Sequence, residues 1–366
     1  MSNVMVRDEE TPVQTATMRA FVMRSLGEVG MADKPRPTIG PADALIRTTV
    51  ALVCTSDVHT VGGAIGERSN LTLGHEAVGR IEALGESVKG FRVGQRVLAC
   101  AITPCWRCEN CLRGYSSQCG EALGGWKFAN VKDGNLGEYF HVNDAEANLA
   151  PIPDGIADDV AVYATDMLST GLLGAEHAAI PPGGSVAIFG LGPVGLMATA
   201  FARLLGAGLV IGVDSVPKRQ ELARGFGADE IVDFSKGDAI EAIRKLTGGV
   251  GVDSAIEALG SPETFANCVR ATRPGGTISN IGYHGKGETV PIPRIEWGVG
   301  MADKTIRTGL CPGGRERMER LMRLLERGRI DPTPLTTHRF PFADVEKAYR
   351  MMAAKADGII KPLILF

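Results

Sequence analysis

Three groups of residues in this chain have the types and spacing that chemistry needs. The first is a run of four cysteines in TPCWRCENCLRGYSSQCG: Cys105, Cys108, Cys111 and Cys119. In a reducing compartment, Cys-x2-Cys-x2-Cys-x7-Cys reads as a metal site. Thiolates are soft donors, and four of them close a tetrahedral shell around zinc with no position left for substrate. Such a site is structural, and its binding free energy holds a lobe together. A thioredoxin-like couple or an iron–sulfur cluster stays open on spacing alone.

If the lobe is a staple, the reacting groups lie elsewhere. Cys54 ends the apolar run VALVC, His75 sits in LTLGHEAVG, and Asp166 interrupts the apolar, helix-like stretch DVAVYATDMLSTGLLG. A carboxylate in apolar surroundings is costly unless it is paired or ligates a cation. Each also has a plainer reading: a buried Cys as a small hydrophobe, a hydrogen-bonded His, an Asp that caps a helix. Residue types alone leave both readings open.

The third group is Gly190-Leu191-Gly192-Pro193-Val194-Gly195. It follows the β-branched run SVAIFG and precedes LMATAFARLLGAG, whose apolar residues recur at helical spacing up to Gly206. Strand, Gly-x-Gly-x-x-Gly, helix is the dinucleotide-binding arrangement, in which the backbone approaches a pyrophosphate at a helix N-terminus. A second strand, LVIGVD, ends at Asp214, close to the ~20-residue offset expected of a ribose-binding acid. A carboxylate there would accept the ribose hydroxyls and repel a 2'-phosphate, which favours NAD over NADP. A turn or helix-cap role for Asp214 is the alternative, and Lys218 and Arg219 follow within reach of a phosphate.

These groups need elements to position them. Strand-like runs at 230–234, 252–259 and 276–282 alternate with helical patterns, which predicts a parallel doubly wound sheet. A first strand is expected near Met18, after a polar, flexible extension over residues 1–17 that lacks the apolar run of a signal peptide. RERMERLMRLLERGR at 315–329 reads as an amphipathic surface helix. His141, His177, His284 and His338 read as hydrogen-bonded residues and Cys100 and Cys268 as packing residues. At 366 residues, 44% hydrophobic and 22% charged, the chain is long enough for two domains and needs no disulfides for a core. Its net charge of −3 argues against nucleic-acid or acidic-membrane partners. No apolar run approaches the ~18 residues of a membrane span. A cytoplasmic enzyme is expected.

LGHEAVGRIEALGESVKGFRVGQRV, the cysteine lobe and GLGPVG together resemble the zinc-dependent medium-chain alcohol dehydrogenases. The resemblance runs from Met18 to the C-terminus. CTSDVHTVGGAIGER, LGGWKFANVKDGNLGEYFHVNDAEANLA, IEWGVGMADKTIRTGLCPGGRERMERL and IIKPLI are similar to the tetrameric bacterial secondary alcohol dehydrogenases, whose best-known members use NADP. The resemblance implies a GroES-like, β-barrel-like catalytic domain over 18–168 and 311–366, and a Rossmann cofactor domain over 169–310. It implies Cys54, His75 and Asp166 as catalytic zinc ligands, with Glu76 as a transient one. It makes Ser56 and His59 a proton relay. It places Thr55, Ser215 and Tyr283 with the cofactor, and Leu123, Trp126, Met301 and Cys311 around the substrate. Met301 would approach a neighbouring subunit's pocket in a homotetramer.

Two departures stand out. The NADP-using members have lost the structural cysteines, which this chain keeps. They also carry a small residue at the place of Asp214 and a Ser-Arg pair after it, where Ser215 is here followed by Val216. Both the acid and the departure point to NAD. The expected enzyme oxidises a secondary alcohol, or reduces the ketone, on a zinc with one open position, with Ser56 and His59 carrying the proton. A diol, a polyol or a larger aryl substrate is the alternative within the same fold. A zinc-ribbon-like binding module or a non-catalytic scaffold would show a basic face or a broken zinc trio, and the sequence has neither.

Overall fold

The computed structural model of the chain describes residues 16–120, 126–285 and 287–366. Residues 1–15 of the expected extension, and Leu123, lie outside the described residues. Thr17 already opens the first strand, Thr17–Ser25.

The strand Ala44–Leu52, ALIRTTVAL, is β-branched, apolar and buried almost end to end, as a central strand should be. It anchors a seven-stranded sheet with the order Thr336–Pro341, Lys361–Leu365, Ala44–Leu52, Ala77–Leu84, Arg96–Ala99, Leu149–Pro151, and Tyr139–Val142 also paired to Ala44–Leu52. Glu28–Pro35, Thr17–Ser25 and Leu71–Thr72 form a three-stranded antiparallel sheet beside it. Phe21 and Met23 of the small sheet share one apolar core with Ile46, Ile81, Phe140 and Ile364 of the large one. The two sheets therefore wrap a common interior, as in a partly open barrel. The chain's last strand is part of it: Leu363 pairs with Leu52 in antiparallel register.

The second sheet has six strands in the order Glu230–Val232, Leu209–Val213, Ser185–Phe189, Val252–Glu257, Thr272–Asn280, Thr305–Thr308. Every pairing in it is parallel. Successive side chains serve opposite faces. Val186, Ile188, Val210 and Ile256 pack toward the helices Met167–Ala178 and Pro193–Leu204. Ala187, Phe189, Ile211 and Val213 pack toward Ile243, Phe265 and Val269 on the far side. Both faces are covered, which explains why these strands read as unbroken apolar runs.

Several strand ends differ from expectation, and side chains account for them. Glu230–Val232 stops early because Asp233 accepts the Ser235 amide and starts a tight turn. Val252–Glu257 stops because the buried Glu257 carboxylate accepts the amides of Leu259 and Gly260. Thr305–Thr308, short and polar, gave no apolar pattern and adds an unexpected edge strand. The amphipathic helix runs Arg315–Glu326 and buries Met318, Leu321 and Met322. Its Arg317 is also buried, on Glu176 and the Ser169 carbonyl of the helix Met167–Ala178. No helix among the described residues is long and apolar enough to cross a membrane.

Candidate active site

The helix Met167–Ala178 begins at the seam between the two sheets, and Asp166 is its N-cap residue. An N-cap Asp ordinarily accepts an amide of its own first turn. The Asp166 side chain accepts none. It points instead at His75, with Oδ2 3.5 Å from Nε2. Its Oδ1 accepts the Thr170 hydroxyl at 2.6 Å. The helix-cap reading of Asp166 is thereby replaced by a cluster.

Cys54 follows the central strand and leads into the short helix Thr55–Val61. Its amide donates to Asp57 Oδ2 at 2.8 Å. The other oxygen of Asp57 accepts the Gly74 amide at 3.1 Å and lies 3.4 Å from His75 Nδ1. One buried carboxylate thus fixes the backbone beside both Cys54 and His75 and orients the imidazole. Gly74 has φ +89, and a Cβ there would come within 3 Å of Asn135 and Leu136. Only glycine lets the loop deliver His75 so closely. Asp57 was not anticipated, although a carboxylate three residues after the first residue of a helix start is a capping signal.

Ligand atoms of Cys54, His75, Glu76 and Asp166 all lie within 4.8 Å of one another. Glu76 is wholly buried; its Oε1 accepts Lys361 Nζ, and its Oε2 has no hydrogen-bond partner. An orphaned carboxylate oxygen beside a thiol, an imidazole and a second carboxylate is the donor set of a divalent cation, with borderline-soft and hard donors mixed as in zinc sites. The electrostatics agree. Burial alone would lower the His75 pKa, but the charge of Asp57 and hydrogen bonds to Asp166, Asp57 and Cys54 hold it well above the ordinary value. Burial would also raise Asp166, yet its contact with His75 keeps it below the carboxylate norm. Burial raises Glu76. The pocket is a concentration of anionic groups that calls for positive charge.

Ser56 Oγ lies 3.1 Å from His75 Nε2, and His59, one turn further along the same helix, is exposed. The Tyr283 ring lies 5.9 Å from that of His59. Cys311 Sγ approaches Asp166 Oδ1 at 3.9 Å, and the Trp126 ring stands edge-on to His75 at 6.4 Å. Met301 is exposed on the surface.

The four cysteines of the 105–119 lobe converge as well. The sulfurs of Cys105, Cys108, Cys111 and Cys119 lie within 4.8 Å of one another, and all four are free thiols. Amides aim at them: Cys105 N donates to Cys119 Sγ at 3.1 Å and Cys108 N to Cys105 Sγ at 3.4 Å. Backbone donation from Cys111 lowers the Cys108 thiol to about 6, whereas burial pushes Cys111 up to about 12. A four-way convergence does not fit a two-cysteine redox couple. Asn148 Nδ2 donates to the Pro104 carbonyl, and Arg107 pairs with Asp144, so the lobe is tied to the barrel.

In the other domain, Gly190–Gly195 join Ser185–Phe189 to the helix Pro193–Leu204. A Cβ on Gly195 would fall 1.9 Å from the Gly190 carbonyl oxygen, so the turn admits no larger residue. Asp214 sits at the end of the next strand but is 5% exposed. Its Oδ2 accepts the Leu191 amide at 2.8 Å and its Oδ1 the Val216 amide at 2.9 Å. Arg219 Nη1 stands 3.6 Å from Oδ2.

Residues 40–154 match the family model for the alcohol dehydrogenase GroES-like domain, and residues 193–327 match that for zinc-binding dehydrogenases. The chain is 51% identical to the NADP-dependent isopropanol dehydrogenase of Thermoanaerobacter brockii, over 95% of this chain and 99% of that one. It is 46% identical to the enzyme of the same name from Clostridium beijerinckii, over 95% and 100%. Among solved structures, an alcohol dehydrogenase from Thermus sp. ATN1 superposes with a TM-score of 0.87 at 30% identity, over 95% of this chain and 99% of that one. These relatives overturn the expected preference for NAD, since both isopropanol dehydrogenases are NADP-dependent by name. The geometry gives the reason: one Asp214 oxygen is taken by the Leu191 amide of the glycine turn and the other by the Val216 amide after its own strand, and a guanidinium stands beside them. A carboxylate so engaged is a poor ribose acceptor and a weak barrier to a 2'-phosphate.

Proposed function

The chain belongs to the zinc-dependent medium-chain alcohol dehydrogenases, and we propose that it interconverts a small secondary alcohol and its ketone, with NADP as the hydride carrier. The observation that carries this reading is the convergence of Cys54, His75 and Asp166 on one point beside Ser56. Zinc held by those three residues would polarise the alcohol oxygen and lower the pKa of its proton. Ser56 Oγ accepts that proton and exposed His59 passes it to solvent. Trp126 walls the substrate side and keeps the pocket compact and apolar, which suits a short-chain alcohol better than a polyol. Cys105, Cys108, Cys111 and Cys119 would hold a second, structural zinc.

The turn at Gly190–Gly195 would present a helix N-terminus to the pyrophosphate, and Thr55 and Tyr283 would hold the nicotinamide half. Asp214 braces the glycine turn through the Leu191 amide and its own turn through the Val216 amide, while Ser215, Lys218 and Arg219 would supply donors and positive charge for a 2'-phosphate. Assembly with further copies, as in the homotetramer that the resemblance implies, fits one part of the surface. Val290, Ile292, Ile295, Val299 and Met301 form an exposed apolar stretch leading to the uncovered edge strand Thr305–Thr308, the kind of surface that a second copy covers.

The test is a panel of 2-propanol, 2-butanol, ethanol, sorbitol and 1-phenylethanol, each with NADP and with NAD. Short secondary alcohols with NADP should give the highest kcat/KM. Sorbitol or 1-phenylethanol as the best substrate would refute the compact pocket, and a higher kcat/KM with NAD would refute the cofactor assignment.

A further inference from the structure

A thiolate offers a metal one donor atom, whereas a carboxylate offers two. With Asp166 in a three-residue ligand set, a carboxylate free to use both oxygens would add a donor and fill the coordination position that substrate needs. We propose that the Thr170 hydroxyl is a positioning residue that occupies Oδ1 of Asp166, so that only Oδ2 is left for the metal. This rests on the reading of Asp166 as a zinc ligand.

The geometry separates the two oxygens. Oδ1 accepts Thr170 Oγ1 at 2.6 Å and has Cys311 Sγ at 3.9 Å. Oδ2 faces His75 Nε2 at 3.5 Å, inside the cluster. Thr170 lies one helical turn after Asp166, so both project on one face. A threonine hydroxyl within a helix commonly bonds the carbonyl four residues back. Here that carbonyl takes the Thr170 amide at 2.7 Å, and the hydroxyl goes to the carboxylate. The Asp166 side chain accepts no amide of its own helix, so no cap bond restrains it. Thr170 thus provides the short contact that fixes Oδ1, and a neutral hydroxyl does this without neutralising the ligand.

The test uses full-length Thr170→Val and Thr170→Ser proteins, with the catalytic zinc replaced by cobalt(II). Valine keeps the shape and removes the hydroxyl. In Thr170→Val, release of Oδ1 should raise the donor number, and the visible cobalt absorption should fall about threefold as the ion leaves four-coordinate geometry. Thr170→Ser should keep the wild-type spectrum. KM for 2-propanol should rise about tenfold in the valine protein, as the open position closes. If valine prevents folding, Thr170→Ala is read in the same way. A wild-type spectrum in both hydroxyl-free variants would overturn the proposal. Failure of wild-type protein to bind cobalt at Cys54, His75 and Asp166 would instead overturn the ligand assignment, and this proposal with it.

Discussion

The ammonium of Lys361 donates to Oε1 of Glu76, and neither side chain has any surface open to solvent. The strand Lys361–Leu365 is thereby joined by charge, as well as by its ladder, to the loop that carries His75. Burial would lower the lysine pKa, but charge interactions with the surrounding Cys54, Glu76 and Asp166 side chains and the hydrogen bond to Glu76 hold it above the ordinary value. Removing one partner of a buried pair strands the other charge, at a cost of about 3–5 kcal/mol. Lys361→Met should therefore lower the urea midpoint by that equivalent, and adding Glu76→Gln to it should recover part of the loss. A single variant within about 1 kcal/mol of wild type would show that the pair is not holding the core.

The cysteine lobe should answer to metal in stability, not in chemistry. Zinc per chain should be about two in the wild type and about one in Cys105→Ser, because a three-thiolate shell is open and binds more weakly. The variant should melt lower while residual folded protein still turns over substrate. Full stability with lost turnover would reverse the assignment of the two sites.

Asp253 makes a pH prediction away from either cluster. Burial would raise its pKa, but the amide and hydroxyl of Ser185 and the charge of Arg273 bring it below the usual 3.8. A carboxyl depressed in the folded state stabilises fully above its unfolded pKa, and that contribution fades as pH falls through the folded one. The stability gap between wild type and Asp253→Asn should be flat from pH 7 to about 5 and should narrow below about 4. A gap that widens on acidification would contradict the assigned contacts.

Much of this site could be read along the chain, and the reason differs for each part. The cysteine spacing and the glycine turn are local, so their chemistry lies within a few residues. Cys54, His75 and Asp166 are far apart in sequence; only the resemblance joined them. Lys361 was not anticipated, because its partner lies 285 residues away and nothing local marks a lysine as buried. Thr170 stands at the right offset from Asp166, but a Thr in a helix carries no sign of where its hydroxyl turns. Asp214 was found at the end of the expected strand, but the NAD preference drawn from it did not hold. Spacing located the carboxylate, whereas the direction of its two oxygens depends on the amides of Leu191 and Val216.

The most direct measurement is the initial rate of 2-propanol oxidation with NADP, taken on wild type and on Asp166→Ala with zinc counted in both. Wild type should turn over with about two zinc ions per chain. Asp166→Ala should lose about a thousandfold or more in rate, equivalent to roughly 4 kcal/mol. It should keep its fold and the structural zinc, because the side chain of this N-cap aspartate accepts no amide of the helix it precedes. Undiminished turnover in Asp166→Ala, or no 2-propanol oxidation by zinc-replete wild type, would contradict the account.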